Sequence, residues 1–426
     1  MTSEGFGVRI HRGANEIGGS CVELRYGDAT VLLDLGRPLW AGRDEVIPLP
    51  PAIGLGESGL LPLALVLSHG HQDHWGLVPD LPPGIPLYVG KSAADVLRAA
   101  EFWGAGIDLH ESGHLTHRQP LQIGPFTITP YLADHSAFDA YSLLIEAGGR
   151  RLLYSGDFRG HGRKARAFEE FLVDAPSDVD VLLMEGTNLR ADDGGAESQV
   201  TESVVETELA QTLTDTDGLV VVLCSAQNID RLVTVYRAAL RAERNLAVDL
   251  YTAEVAAATG RDTIPQVNPQ WPRVSAYLPL TQRVRVKQSE EFTRTEAVKG
   301  RRIFDEQLVD EPGQWVLFGA FQAQVARMLS SGQLAGGAVV WSMWDGYLKD
   351  ARGQRFVASL EAAVVPLIHH HTSGHASVDD LKRFVEAVDP AVVVPIHTEA
   401  PQQFESAFGS RVVQRDDGKW WTVSDA

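Results

Sequence analysis

The residues best suited to chemistry stand in the run SHGHQDHWG at 68–76, directly after the apolar segment LALVLS. The candidate metal donors in this run are His69, His71, Asp73 and His74. Alternate side chains of an extended strand point to the same face, so His69 and His71 would point in the same direction. Imidazole nitrogen and carboxylate oxygen are also the donors that zinc prefers. Burying three imidazoles and a carboxylate together is costly unless something satisfies them. The run therefore favours a metal site, for one ion or two, over a polar surface loop or a set of core histidines.

The spacing HGHQDH has the form HxHxDH and resembles the metal-binding motif of the metallo-β-lactamase superfamily. The resemblance implies an α/β fold, an αββα sandwich that holds its metals at one edge of the sheets. It also implies a later histidine and a bridging aspartate, which ADHSAFDA supplies as His135 and YSGDFRG supplies as Asp157. Manganese is an alternative to zinc because the same ligands bind both metals. The implied ligand sets are His69, His71 and His135 for one zinc, and Asp73, His74 and a late histidine for the other, with Asp157 shared.

Three later segments narrow the branch of this superfamily. MEGTN contains Glu185, HTSGHAS contains His375, and PIHTE contains His397. Their order resembles that of the β-CASP nucleases, which include ribonuclease J and the RNA 3′-end-processing nucleases. AQNIDR and the opening GANEIGGSCVEL also resemble segments of that group. The resemblance makes His397 the late metal ligand, and it favours RNA over DNA because RNA-acting members tend to carry histidine there.

The chain departs from this pattern at several positions. Glu185 stands where ribonuclease J usually has aspartate, so at this position the chain resembles the RNA 3′-end-processing members better. Gln227 replaces the usual serine of the AQNIDR segment, which puts a phosphate contact in doubt, and Thr398 replaces a frequent glycine. The segment WSMWDGYLKD does not resemble the family. Its Trp341 and Trp344 either stack on bases or pack in a core.

The resemblance and the residue chemistry together assign catalytic roles. We expect a water activated by the metals, with its pKa lowered toward about 7, to attack the phosphodiester. Asp73 serves this step as a ligand, His375 is the expected general acid, and Glu185 orients it. The expected substrate-binding residues are Ser373, Gly374 and Arg231. Residues that either contact the RNA backbone or are plain surface charges are Arg285, Lys287, Arg301 and Arg302.

The expected activity is that of a ribonuclease, endonucleolytic or 5′-exonucleolytic, on single-stranded RNA. Two alternatives stay open: a nuclease for single-stranded DNA, and a hydrolase for a small ester, lactone or cyclic nucleotide. The net charge of −19, from 37 basic and 56 acidic residues, weakly opposes a nucleic-acid substrate, because proteins that bind nucleic acids usually carry a basic patch. A non-catalytic binding protein is disfavoured, since the ligand set is complete.

The elements that must position these residues change in character along the chain. Up to about residue 194, short strand-like runs predominate, and beyond it strands alternate with helices, which predicts an inserted parallel sheet. The expected domains are therefore 1–194 and 356–426 for the metallo-β-lactamase domain and 195–355 for the inserted β-CASP domain. Ser377 is the expected N-cap of a helix. One helix is expected to bury a face that carries Ile229, Leu232, Val233, Tyr236 and Leu240.

The remaining features are less specific. Cys21 and Cys224 are too far apart in sequence for a metal motif, so we expect buried core thiols. Asp34 either hydrogen-bonds a ligand histidine or begins a turn. No apolar run approaches the roughly 20 residues that span a bilayer, so a cytoplasmic protein without membrane contact is expected, and homodimerisation stays open. The histidines expected not to bind metal include His110, His114 and His117.

Overall fold

The computed structural model describes residues 5–42, 45–50, 61–190, 200–319 and 321–425. The chain divides into two compact units: unit 1 comprises Met1–Gln199 and Gly374–Ala426, and unit 2 comprises Val200–Ser373. Unit 2 is thus inserted into the sequence of unit 1. Across the described ranges, no helix combines the length and the apolar character needed to cross a membrane.

The first part of unit 1 is rich in strands. Its strands are β1 (Gly7–Arg12), β2 (Cys21–Tyr26), β3 (Ala29–Leu33), β4 (Leu65–Val66), β5 (Leu87–Gly90), β6 (Gly113–Leu115), β7 (Leu121–Ile123), β8 (Phe126–Leu132), β9 (Tyr141–Ala147), β10 (Arg150–Tyr154) and β11 (Val181–Glu185). Its helices are α1 (Gln72–Trp75), α2 (Lys91–Glu101) and α3 (Ala165–Val173).

Unit 2 alternates helices and strands. Its helices are α4 (Glu202–Asp215), α5 (Ile229–Arg241), α6 (Leu250–Ala258), α7 (Leu280–Gln288), α8 (Thr293–Glu296), α9 (Asp305–Asp310), α10 (Gln322–Ser331) and α11 (Ala351–Ala362). Its strands are β12 (Val220–Leu223), β13 (Asn245–Val248), β14 (Val274–Tyr277), β15 (Arg302–Ile303), β16 (Trp315–Gly319), β17 (Ala338–Trp341) and β18 (Leu367–His369). Unit 1 is completed by α12 (Val378–Val388), β19 (Val392–Ile396), α13 (Gln403–Phe408) and β20 (Trp420–Thr422).

Unit 1 is built on mixed sheets that pack face to face. One has the order β20-β1-β2-β3-β4-β5-β6, and the other has the order β19-β11-β10-β9-β8-β7. Apolar residues from both sheets, among them Val66 and Val394, form one buried core between them. Leu97 of α2 packs on the outer face of the first sheet, and Phe384 of α12 packs on the outer face of the second. This layering confirms the predicted αββα sandwich.

Unit 2 contains the predicted parallel sheet, with the order β15-β14-β13-β16-β12-β17-β18. Its C-terminal limit lies at Ser373 instead of the expected 355, because β18 pairs with β17 and extends the inserted sheet. The other expected limit, between 194 and 195, falls in the range 191–199, outside the described residues.

Helix α5 buries a different face from the one predicted. Ile229 and Leu232 are buried as expected, but Leu240 is 40% exposed. Arg231 and Thr234 are fully buried in its place, because both bind Glu202 of α4, the first at 3.0 Å and the second at 2.6 Å. A buried ion pair therefore decides which side of the helix faces inward.

Candidate metal centre

The second sheet of unit 1 delivers several candidate ligands to one edge. Strands β10, β11 and β19 are neighbours and parallel, so their carboxyl ends lie side by side. Asp157 follows β10, Glu185 ends β11, and His397 follows β19. His135 follows β8, which runs in the same direction as β10 because β9 is antiparallel to both. The sheet topology therefore gathers residues that are far apart in sequence.

The first sheet supplies the HGHQDH segment. β4 leads to His69, and His71 precedes the short helix α1, which contains Asp73 and His74. Backbone hydrogen bonds tie this segment to the chain after β3: the N–H of Leu35 donates to the carbonyl of His74 at 2.8 Å. The N–H of Ser20 donates to the carbonyl of Asp73 at 3.1 Å. These contacts hold the ligand segment against the sheet.

The candidate donor atoms fall into groups that share Asp157. His69, His71, His135 and Asp157 form one group, and Asp73, His74, Asp157 and His397 form another. Within each group the donor atoms all lie within 4.8 Å of one another. The Asp157 Oδ2 atom lies 3.6 Å from the Nε2 of His69, 3.2 Å from that of His74 and 3.7 Å from that of His397. One carboxylate thus lies within reach of both donor groups.

These atoms suit divalent cations because they lack other partners. Among the described residues, the buried Nε2 atoms of His69, His74 and His397 and both carboxylate oxygens of Asp157 form no hydrogen bond. The Nε2 of His135 lies 3.0 Å from the Nδ1 of His71, a distance that suits two ligands of one ion. Buried polar groups without partners are costly, and coordination of a cation would satisfy them. The residues present therefore fit the metals that the motif implies.

The protonation states in the first donor group favour cation binding. Burial lowers the pKa of His69 and His135 well below the ordinary value and that of His71 to about 4. Burial alone would raise the pKa of Asp157, but attraction to His397 and other imidazoles lowers it well below its usual range. Neutral imidazoles and an ionised carboxylate are the forms that ligate metals.

The pKa of His74 is shifted in the opposite direction, because carboxylates surround its ring. Burial opposes its charged form, but attraction to Asp157 and Asp34 raises its pKa well above the ordinary value. The Asp34 Oδ2 atom lies 2.8 Å from the Nδ1 of His74 and also accepts from Tyr154 Oη at 2.7 Å. Asp34 therefore fixes the ring so that Nε2 faces the donor group, which favours the ligand-orienting alternative for this residue.

Two other candidate ligands are held in a similar way. The Nδ1 of His135 donates to the carbonyl of Gly374 at 2.6 Å, and the Nδ1 of His397 lies 2.9 Å from the Ser20 hydroxyl. His397 also has a φ of 53°, a conformation that side chains rarely adopt and that is common at functional sites. Sequence reasoning missed the roles of Ser20 and Tyr154, although both lie in quoted family-like segments, GANEIGGSCVEL and YSGDFRG.

His375 and Glu185 form a third group with Asp157. The Nδ1 of His375 lies 3.2 Å from Glu185 Oε2 and 3.7 Å from Asp157 Oδ2. Burial opposes its charged form, but attraction to Glu185 and Asp157 raises the pKa of His375 to about 9. Its side chain is 20% exposed, whereas that of Glu185 is 1% exposed. The amide of Asn188 donates to the carbonyl of His375 at 3.0 Å, a contact that sequence reasoning also missed.

The expected substrate-binding residues do not form one group within a unit. Gly374 belongs to unit 1, whereas Ser373 and Arg231 belong to unit 2. The Arg231 guanidinium is fully buried and donates to Glu202, Ser342 and the carbonyl of His370. This corrects the expectation that it contacts substrate, because in this structure its charge is satisfied inside unit 2.

Other expectations can be compared directly with the structure. Cys21 and Cys224 are buried and free, as predicted. Trp341 is fully buried, which favours the core-packing alternative, whereas Trp344 is 57% exposed.

His114 pairs with Glu111 at 3.3 Å. Within the described ranges, none of the histidines at 110, 114 and 117 belongs to a candidate metal group.

Comparisons with known proteins agree with this geometry. Residues 48–212 match the beta-lactamase superfamily domain, and residues 363–407 match the Zn-dependent metallo-hydrolase RNA specificity domain. Ribonuclease J of Mycobacterium tuberculosis is 28% identical over 58% of this chain, and ribonuclease J 1 of Streptococcus pyogenes is 23% identical over 93% of it. These matches make the chain similar to the metallo-β-lactamase superfamily and, within it, to the ribonuclease J-like β-CASP branch.

The matched part of this chain covers only part of each ribonuclease J sequence. The chain spans 45% of the mycobacterial ribonuclease J and 69% of the streptococcal one. A crystal structure of a protein of unknown function from Enterococcus faecalis covers 98% of this chain with a TM-score of 0.76 at 20% identity. That likeness shows that the two proteins share a fold over nearly the whole chain.

Proposed function

We propose that the protein is a metal-dependent ribonuclease that hydrolyses phosphodiester bonds of single-stranded RNA. The observation that carries the proposal is the carboxylate of Asp157, which two donor groups of histidine and aspartate share. Two cations at a shared ligand are the arrangement that many phosphodiesterases use. The relatives named ribonuclease J and the match to an RNA specificity domain support RNA as the substrate.

The chain's own residues would hold two divalent cations, with zinc as the first choice and manganese as the alternative. His69, His71 and His135 would bind one, Asp73, His74 and His397 the other, and Asp157 both. When bound, such cations activate water and neutralise charge on the phosphate oxygens. Asp73, whose side chain is 14% exposed, lies at the accessible side of this group. Its carboxylate would hold the second cation together with His74 and His397.

His375 is the proposed proton donor to the leaving oxygen. Its Nδ1 faces Glu185, so the opposite ring nitrogen carries the proton that is transferred. The Glu185 Oε1 atom accepts from the N–H of Phe158 at 3.2 Å, and Oε2 accepts from the N–H of Thr187 at 3.2 Å. These bonds hold the carboxylate in a fixed position. Glu185 is therefore the residue that orients His375 and stabilises its charged form.

The test compares matched substrates with one purified protein. RNA and single-stranded DNA oligomers of the same sequence, with a 5′-monophosphate or a 5′-hydroxyl, are incubated with protein of measured metal content. We expect cleavage of RNA, its loss with chelator and its return when zinc or manganese is added. A preference for the 5′-monophosphate would indicate 5′-exonucleolytic action, and an equal rate on both ends would indicate endonucleolytic action.

The control variants separate the metal mechanism from a contaminating nuclease. Asp73→Asn removes one ligand and should abolish turnover, whereas Asp28→Asn, at an exposed turn of the same unit, should cleave at the rate of the parent. Full activity of the Asp73→Asn variant would refute the mechanism. Faster cleavage of DNA, or of a small ester with RNA left intact, would refute the substrate.

A further inference from the structure

A cleft of about 560 Å³ opens in unit 2, at the amino ends of its parallel strands. The lining residues used below are Asn268, Ser275, Arg301, Arg302, Gln307 and Trp315. Arg302 begins β15 and Trp315 begins β16, whereas the AQNIDR segment follows the carboxyl end of β12. The cleft is therefore at the opposite edge of the sheet from that segment. Its volume lies in the usual range of about 300–1,000 Å³ for small-molecule sites.

The charge of this cleft is positive and locally uncompensated. Neither Arg301 nor Arg302 forms an ion pair with a carboxylate in the part of the chain that the structure describes, and no acidic side chain lines the cleft. By contrast, Arg98 of unit 1 pairs with Asp95 at 2.9 Å and with further carboxylates. In a chain with a net charge of −19, unpaired arginines in a concave site concentrate positive potential.

The two guanidiniums are held in place by neighbours. Arg301 Nη1 donates to the carbonyl of Pro272 at 3.1 Å, and the Arg302 guanidinium lies 4.7 Å from the centre of the Phe304 ring. Burial and repulsion from Arg283 lower the pKa of Arg302, which means that its charged form gains no compensating carboxylate. An anion is the missing partner that would stabilise this arrangement.

The remaining lining residues indicate the size and kind of anion. Guanidinium forks match phosphate oxygens geometrically. Trp315, which is 8% exposed, adds an aromatic wall suited to a base. Asn268 and Gln307 are polar lining residues whose amides already bond neighbouring groups in the chain. We propose that this cleft binds a small phosphate ester of nucleotide size, as a ligand site formed wholly by unit 2.

The experiment measures binding of 5′-AMP by calorimetry to the full chain carrying Asp73→Asn, with adenosine and inorganic phosphate as comparison ligands. We expect 5′-AMP to bind more tightly than either. Adding Arg302→Gln should weaken 5′-AMP binding about tenfold or more, the loss of roughly one charge-assisted contact. Arg302→Lys should give an intermediate loss, because it keeps the charge without the planar fork. Arg237→Gln, at an exposed position of α5 outside the cleft, should leave binding unchanged.

Several outcomes would overturn the proposal. Equal affinity of the Arg302→Gln variant and its parent, in protein with an unchanged melting temperature, would place the ligand elsewhere. If adenosine binds as tightly as 5′-AMP, the phosphate is not recognised. If inorganic phosphate binds as tightly as 5′-AMP, the nucleoside is not recognised. No 5′-AMP binding at millimolar concentration, together with RNA binding that depends on Arg302, would assign the cleft to an RNA strand instead.

Discussion

At the scale of single residues, the proton donor is the part of the proposed mechanism most open to test. Replacing His375 by alanine removes the ring that faces Glu185 at 3.2 Å but leaves the two histidine-rich donor groups intact. We expect kcat to fall by about 10²–10⁴-fold with the bound metal unchanged. His114→Ala, which removes an exposed imidazole, is the matched control. If the His375→Ala variant loses metal in proportion to activity, His375 is a ligand and not the acid.

Asp34 tests the orientation of a ligand. Its Oδ2 atom accepts from Tyr154 and from the Ser68 hydroxyl at 2.8 Å and lies 2.8 Å from His74 Nδ1, while its Oδ1 accepts from the Ser68 N–H. In Asp34→Asn, an amide NH₂ must face at least one of these donors. We expect metal affinity to fall by about 10–100-fold in a chelator-competition assay. Asp28→Asn should bind metal like the parent; the same affinity in both variants would show that Asp34 does not orient His74.

At the scale of elements, a glycine decides how closely the ligand segment approaches the sheet. A Cβ built on Gly36, just after β3, would lie 1.7 Å from the carbonyl oxygen of Asp73. Gly36→Ala must therefore push the Asp73 backbone away, and a displacement near 1 Å can reduce the rate by about 10²-fold. We expect weaker metal binding and slower RNA cleavage in this variant.

The control for this prediction is Gly42→Ala. A Cβ there would meet only the Glu45 side chain, at 3.9 Å, so metal binding and activity should match those of the parent. A Gly36→Ala protein with parental metal affinity and rate would mean that α1 and the strand can separate without harm to the site.

The sequence could predict features that lie within one element better than features that join distant elements. The HGHQDH run and the Ser377 N-cap, whose hydroxyl accepts from Asp380 N–H at 2.9 Å, are local patterns and could be read directly. The position of Gly36 against Asp73 and the pairing of β18 with β17 depend on contacts between distant segments. Periodicity also misassigned the buried face of α5, because a polar partner on α4 outweighed apolar side chains. Local order is therefore predictable here, whereas long-range contacts are not.

At the scale of the whole molecule, the net charge of −19 must be reconciled with the proposed polyanionic substrate. RNA affinity usually comes largely from phosphate contacts with basic residues. Many arginines here are committed to carboxylates: Arg231 binds Glu202 and Arg383 binds Glu169 at 2.6 Å. The cations proposed for the metal centre would add positive charge at the reacting phosphate, and we expect them to supply much of the attraction. Binding should therefore be local instead of extended along the strand.

This charge distribution predicts a shallow salt dependence of RNA binding. Each phosphate contact on a single strand contributes about −0.7 to the slope of log affinity against log salt. Because binding is expected to be local to the metal centre, we expect a slope shallower than about −2, which corresponds to about three contacts. The measurement uses metal-loaded His375→Ala protein, which keeps both donor groups and is expected to cleave RNA slowly, and it follows RNA binding by fluorescence anisotropy from 50 to 300 mM salt. A protein that binds RNA only at its metal centre displaces few counterions from the RNA. A slope near −5 would require an extended basic surface and would contradict the local model.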